Sequence, residues 1–180
     1  CLGAPAIARS DERRYPLQVL DVIIGGGVSS LLFQKLREEL GLVYSTYSFN
    51  DLYSDVGFYG VYAGFAPRNW GRVWDVLQGL FTDIPQLITE EVVERSKQQL
   101  RSGLLLSLES TSTRMSRLAK GEIYDGGPLP PEVVLRLVED VQHPQVVELA
   151  RELYHPERWS WAAVGPSRYV REDVAWRKIC

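Results

Sequence analysis

The sequence contains few of the residues from which metal sites and disulfides are built. Its 180 residues include two cysteines, Cys1 and Cys180 at the two ends, and two histidines, His143 and His155. Hydrolytic zinc needs ligands such as two histidines one helical turn apart together with a glutamate, and these histidines are twelve residues apart. We therefore expect no metal site in this chain, with both histidines at the surface or at loop ends. There is also no Cys-His pairing and no G-x-S-x-G elbow to supply a nucleophile.

Long apolar runs and an excess of positive charge are absent as well. No apolar stretch approaches the roughly 20 residues that a membrane-spanning helix needs. A net charge of -3 with scattered lysines and arginines gives no basic stripe for nucleic acid or anionic lipid. Without a signal peptide or transit sequence we expect a soluble protein, and the cytoplasm is favoured among the compartments that remain open. The chain begins at Cys1, not Met, and we expect a fragment that lacks its first strand or strands.

Hydrophobic periodicity predicts several helices around one hairpin, which is an α+β pattern. A loop is expected from Gly3 to Arg13, followed by a helix with Pro16 in its first turn. Further helices are expected over Trp70 to Ile84, with an end or kink at Pro85, from Thr89 to about Leu108, from Ser110, after Pro131 and from Pro144. Residues Arg158 to Val164 alternate as a strand. The prediction is a single domain over 1–180, with a mainly antiparallel sheet packed against several helices. A chain of this length buries about 70% of its unfolded surface, enough for a proper core.

The stretch from Gly25 to Phe65 organises the rest of the chain. Gly25 to Gly27 read as a sharp turn, and Ser29 or Ser30 supplies the N-cap of a helix with Leu32, Phe33, Leu36 and Leu40 at helical spacing. Gly41 stands where a left-handed C-terminal cap belongs. The three glycines lack the motifs of a phosphate-binding loop, so no anion site is predicted there.

From Val43 the period changes to two, which predicts a strand. Val43, Ser45, Tyr47 and Phe49 are expected on one face and Tyr44, Thr46 and Ser48 on the other, so that Tyr44 lies on the more polar face. The short connection at Gly41 can bring Arg37, near the end of the helix, and Tyr44 to one surface.

Taken singly, the candidate side chains have ordinary explanations. Arg37 among Lys35, Glu38 and Glu39 is typical of a solvated charge, and Tyr44 is typical of a half-buried strand tyrosine. Asp51 and Asp55 lie in a segment rich in Asn and Ser, where turn residues are more common than acid–base pairs. Trp70, Trp74, Trp159 and Trp161 lie on periodic faces and are expected in the core.

The organising stretch resembles the second domain of the pitrilysin/insulinase-type zinc metallopeptidases, the inverzincins, which include the mitochondrial processing peptidases. The matching pieces are Gly25-Gly26-Gly27, Ser29-Ser30, Leu32 to Glu38, Gly41 to Ser45, Asp55-Val56-Gly57, Tyr62-Ala63-Gly64 and Thr89-Glu90-Glu91 before a long helix. This resemblance covers most of the chain.

The resemblance implies a C-terminal, zinc-free domain that faces a zinc-bearing domain or partner subunit across a chamber, and a dimer is one such arrangement. Zinc belongs to the other half, on an H-x-x-E-H motif that this sequence lacks, so the chain alone should neither bind zinc nor cut peptides. Arg37 and Tyr44 have the family's spacing of seven residues. The resemblance therefore implies that they hold an extended, unfolded peptide and stabilise the oxyanion at the scissile carbonyl.

Two other functions remain open from the sequence. One is a structural or assembly subunit that kept this fold and lost activity, although an intact Arg37/Tyr44 pair favours the enzyme. The other is a stand-alone module that binds extended peptides at a sheet edge.

Overall fold

A four-stranded antiparallel sheet forms the centre of the computed structural model, which describes residues 1–169. The strands are β1 (Leu2–Ala6), β2 (Val43–Leu52), β3 (Gly57–Phe65) and β4 (Ser160–Trp161), in the order β2-β3-β1-β4. Each neighbouring pair is antiparallel. The long β2–β3 hairpin therefore stands at one side of the sheet, with β2 as its edge strand.

Six α-helices and one π-helix accompany the sheet in the described residues. They are α1 (Arg14–Gly25), the π-helix (Phe33–Glu39), α2 (Trp70–Leu87), α3 (Glu90–Ser107), α4 (Thr111–Tyr124), α5 (Pro131–Glu139) and α6 (His143–Leu153). The predicted α+β class, with an antiparallel sheet packed against several helices, is confirmed.

The hydrophobic core lies between one face of the sheet and the helices. Tyr59 and Val61 of β3 are fully buried there, together with residues from α1, α2 and α6 such as Leu20, Ile84 and Leu149. Burial of this apolar surface fixes which face of the sheet is the inner one. The opposite face of the β2–β3 hairpin remains open.

The helix starts that the sequence predicts at Thr89 and Ser110 agree with the structure. The Thr89 hydroxyl accepts from the amide of Val92 at 3.2 Å, and the Ser110 hydroxyl accepts from the amide of Thr113 at 3.3 Å, so both residues cap helices at the predicted starts. The apolar faces of α1 and α6 are buried. Pro85, however, lies inside α2, which continues to Leu87.

Two predicted boundaries are wrong. The loop expected from Gly3 begins only after Ala6, because β1 pairs with β3 as far as Ala6 and buries Leu2 and Ala4. Pro5 is tolerated because β4 pairs with β1 only at Leu2 and Gly3. The strand expected over Arg158 to Val164 is limited to Ser160–Trp161, since a short 3-10 turn occupies Pro156–Arg158.

Candidate functional site

The site begins at the turn that leads into the π-helix. The Ser30 hydroxyl accepts from the amide of Phe33 at 3.4 Å, which confirms the predicted cap. Leu32 and Leu36 are fully buried and anchor the segment to the core. The predicted helix is present, and the structure shows that Phe33–Glu39 is π-helical. Apolar residues four apart fit both helix types, so the sequence pattern does not separate them.

A rigid corner follows the π-helix. Gly41 has φ of 58°, a left-handed conformation that favours glycine, and the predicted cap is confirmed. The amide of Leu42 donates to the carbonyl oxygen of Leu36 at 2.8 Å. The side-chain amide of Asn69, just before α2, donates to the carbonyl oxygen of Leu42 at 3.0 Å. The direction in which β2 leaves the corner is therefore held by bonds on both sides.

A β-bulge at the start of β2 decides where Tyr44 points. Val43 pairs with Phe65 and Ser45 pairs with Gly64, so Tyr44 is an extra residue in β2. Val43 and Thr46 are both buried, whereas Tyr44 and Ser45 are both exposed. Two successive residues thus stand on the open face, and bulges of this kind re-aim side chains next to functional sites.

The bulge overturns the predicted alternation. Val43 lies on the inner face, opposite to Ser45, Tyr47 and Phe49, with which it was expected. Thr46 and Ser48 also face inward, so Tyr44 is separated from them and shares the open face with Tyr47 and Phe49. Tyr44 is 69% exposed, more than the half-buried strand tyrosine that its residue type alone suggested.

Arg37 reaches the same corner from the π-helix. Its Nη1 donates to the main-chain carbonyl oxygen of Tyr44 at 2.6 Å, and its guanidinium lies 5.2 Å from the centre of the Phe33 ring. The Phe33 contact was not anticipated, although an aromatic residue four positions before an arginine on a helix is a readable signal. The structure therefore brings Arg37 and the backbone of Tyr44 together on one exposed surface.

Beneath the site, α1 packs directly against β2. A Cβ on Gly25 would lie 2.0 Å from the main-chain nitrogen of Ser48, so only glycine allows this approach. Gly25 is the last residue of α1 and not part of a turn, which corrects the prediction; Gly27, with φ of 144°, makes the turn.

A partly buried carboxylate supports the same strand from α1. Ser48 and Asn50 of β2 both donate hydrogen bonds to the carboxylate of Asp21. Burial raises the pKa of Asp21, and the hydrogen bonds oppose that effect. This network ties the middle of β2 to α1.

The remaining candidates lie outside this corner. Asp51 and Asp55 are exposed at the end of β2 and in the hairpin turn. His143 Nε2 lies 2.8 Å from the carbonyl oxygen of Ile88, and His155 is exposed beside a 3-10 turn. Within residues 1–169, no group of three His, Cys, Asp or Glu side chains could hold a metal ion; Cys180 lies outside the described residues.

The four tryptophans predicted for the core lie in it or at its edge. Trp74 and Trp159 are buried, as predicted. Trp70 and Trp161 are partly buried and pack with Trp74 in one aromatic group.

Comparison with known proteins identifies the family. The model of a family described as the peptidase M16 inactive domain matches residues 1–100. The chain belongs to the peptidase M16 family. The match confirms that the chain resembles the zinc-free second domain of the pitrilysin/insulinase-type metallopeptidases.

Relatives of the M16 domain are named as zinc proteases. The chain is 36% identical to an uncharacterized zinc protease of Streptomyces coelicolor, over 92% of this chain and 36% of that protein. It is 35% identical to the uncharacterized zinc protease YmxG of Bacillus subtilis, over 93% of this chain and 41% of that protein. The chain thus spans about two fifths of the length of these relatives.

Solved structures show the same fold. A protease from Helicobacter pylori superimposes with a TM-score of 0.78 at 20% identity, over 88% of this chain and 38% of that chain. No helix within residues 1–169 combines the length and the apolar character that a membrane span requires.

Proposed function

We propose that this chain is the C-terminal, zinc-free half of a zinc metalloendopeptidase, and that it presents Arg37 and Tyr44 to an unfolded peptide at a zinc site held elsewhere. The bulge in β2 carries the proposal, because it places Tyr44 on an exposed face at the point where Arg37 is bonded. The naming of the relatives as zinc proteases supports the reaction class. Because those relatives are longer, their remaining part has room for the zinc ligands.

The two side chains have the chemistry to stabilise an oxyanion. When the carbon of a scissile peptide bond becomes tetrahedral, its oxygen gains negative charge, and hydrogen-bond donors fixed nearby lower the barrier. Arg37 uses one N–H group on the Tyr44 carbonyl oxygen, which orients the guanidinium and leaves other N–H groups free to donate. The Tyr44 phenol is a further donor on the open face.

An uncovered apolar surface supports a second half that packs against this one. Gly121 is the only buried residue of α4, and α3 is buried only at Val93 and Ser96. Large apolar side chains of the two helices are exposed instead, including Leu106, Met115 and Ile123. Exposed apolar side chains in such number are typical of a surface that binds another protein part.

The same surface includes a cleft with a basic rim. The cleft has a volume of about 740 Å³, lies between α1, α3, α4 and α5, and has Leu100, Leu104 and Val134 among its apolar lining. Arg114, Arg117 and Lys120 of α4 also line it, and none of the three forms a salt bridge with another described residue. We infer that the zinc-bearing half covers this surface and brings acidic side chains to the rim.

Zinc-dependent hydrolysis tests the proposal. The full-length protein, or this chain with its zinc-bearing partner, is incubated with a quenched fluorescent peptide before and after removal of metal by 1,10-phenanthroline, and zinc is then restored. We expect cleavage that is lost with the metal and regained with zinc, and no cleavage by the 180-residue chain alone.

Two results would replace the proposal with another function. A zinc-loaded, folded assembly that cleaves no peptide would identify a structural or assembly subunit. Tight binding of extended peptides by this chain without any partner, again without cleavage, would identify a peptide-binding module.

A further inference from the structure

The open face of the β2–β3 hairpin carries four aromatic rings in a row, formed by Tyr47, Phe49, Phe58 and Tyr62; we call this row the aromatic strip. Tyr47 and Tyr62 are cross-strand partners whose rings stack with centres 5.0 Å apart. Phe49 lies 6.1 Å from Tyr47 and 5.8 Å from Phe58. Tyr47, Phe58 and Tyr62 are 46%, 38% and 37% exposed, so these rings contribute to a surface and not to the core.

Glycines hold the rings of the strip close to the sheet. A Cβ on Gly60 would lie 2.4 Å from the Phe49 ring, and a Cβ on Gly3 would lie 2.4 Å from the Phe58 ring. The rings therefore occupy the space that side chains on the neighbouring strands would take. A surface fixed in this way loses little conformational freedom when a ligand binds.

The strip is continuous with the proposed catalytic corner. Ser45, which follows Tyr44 in the bulge, occupies the open face one step before Tyr47, and the strip then runs along β2 toward Asp51. A peptide held at Arg37 and Tyr44 would meet the strip if it continued along β2.

The spacing and charge of the strip fit an extended, apolar peptide. An extended chain places side chains on one face about 6.6 Å apart, close to the ring separations of the strip. Over Ser45 to Phe49 and Gly60 to Gly64, the open face of the hairpin contains no charged residue; Asp51, the cross-strand partner of Phe58, is the first one, at the far end of the strip. Aromatic faces bind apolar side chains well, whereas a charged side chain would lose water there without a partner.

We propose that the aromatic strip binds the alternate apolar side chains of the extended peptide substrate, some residues away from the scissile bond, and so selects unfolded segments rich in aromatic and branched residues. The inference rests on the proposed function for the direction in which the peptide runs. The strip would supply a preference for substrate side chains that Arg37 and Tyr44 cannot supply, since those two are proposed to contact the peptide backbone.

A binding experiment without turnover tests the strip separately from catalysis. The full-length protein, or the two-chain assembly, is stripped of metal and titrated into two fluorescein-labelled twelve-residue peptides. One peptide has Phe and Leu at alternate positions, and the other has Ser at those positions. Fluorescence anisotropy should show roughly tenfold tighter binding of the apolar peptide, as expected for burial of one or two apolar side chains.

Paired variants locate the preference. Tyr47→Ser combined with Tyr62→Ser should reduce the affinity for the apolar peptide to nearly that for the Ser peptide. Tyr53→Ser is the matched control, because Tyr53 is 55% exposed but lies in the hairpin turn. It should leave both affinities unchanged.

The outcomes separate this inference from the proposed function. Equal binding of the two peptides by wild type would overturn the proposed role of the strip in peptide binding. The same result is expected if a helix of the zinc-bearing half covers the strip. An equal loss with Tyr53→Ser would overturn it too. A preference that is present in the metal-free protein, without hydrolysis after zinc is restored, would support the strip and reject the peptidase.

Discussion

The guanidinium of Arg37 donates a 2.6 Å hydrogen bond to the main-chain carbonyl oxygen of Tyr44, seven residues later in the chain. The bond connects the π-helix to the bulge in β2 across the corner at Gly41. The two proposed donors are therefore placed by one piece of backbone, and a change in that backbone displaces both. Features that fix the corner should consequently affect activity as well as stability.

Gly41→Ala tests the corner. An alanine at φ of 58° is strained although nothing lies within 4 Å of the added Cβ, so we expect about 1 kcal/mol less stability and a lower rate of peptide hydrolysis. Gly79→Ala is the control, because Gly79 is also free of neighbours but lies inside α2. It should raise stability by about 0.5 to 1 kcal/mol and leave hydrolysis unchanged. Thermal unfolding and peptide assays of both variants in the full-length protein provide the comparison; equal effects would contradict the role of the corner.

Asp125 should stabilise the fold only at higher pH. Its carboxylate accepts from Arg9 at 2.7 Å and from Arg14 at 2.8 Å, and these bonds hold its pKa below the ordinary value of 3.8. The stabilisation is thus present above about pH 4 and is lost as the pH falls through the lowered pKa. Asp125→Asn should lower the free energy of unfolding at pH 7 by about 2 kcal/mol, with a smaller difference at pH 3. Denaturant unfolding at both pH values would refute this if the difference were constant.

Asp21 should change the free energy of unfolding with pH in the opposite direction. Burial raises its pKa above the ordinary value of 3.8, so the folded state binds a proton more tightly than the unfolded state. The free energy of unfolding therefore falls as the pH rises from about 4 through the raised pKa, and the loss persists at higher pH. Asp21→Asn removes this loss while keeping a hydrogen-bonding side chain for Ser48 or Asn50. The stability of the variant relative to wild type should be greater at pH 7 than at pH 4, and the reverse order would contradict the effect of burial.

Features that depend on local chemistry could be predicted from the sequence. The caps at Thr89 and Ser110 and the left-handed Gly41 follow from what each residue type does to its own backbone. The apolar stripes of α1, α2 and α6 follow from burial of one helix face. Nothing elsewhere in the fold overrides these signals.

Features that depend on strand register could not be predicted. A bulge adds one residue to β2, and the alternation of Val43 to Phe49 contains no sign of it, so the face of Tyr44 was derived from the wrong neighbours. The π-helical form of Phe33–Glu39 and the passage of α2 through Pro85 also have no sign in the sequence pattern. The shared surface of Arg37 and Tyr44 follows from the short connection at Gly41, whereas their catalytic role is implied by the family resemblance and stays a prediction.

Turnover by Arg37→Ala and Tyr44→Phe, compared with wild type in the zinc-loaded full-length protein or two-chain assembly, tests the central claim most directly. Tyr53→Phe and Arg72→Ala are matched controls, since both side chains are exposed and lie outside the corner. Loss of one oxyanion donor should lower kcat roughly 10²- to 10³-fold, with folding and zinc content unchanged. If wild type is active and both variants have the same kcat as wild type, Arg37 and Tyr44 do not act at the scissile carbonyl.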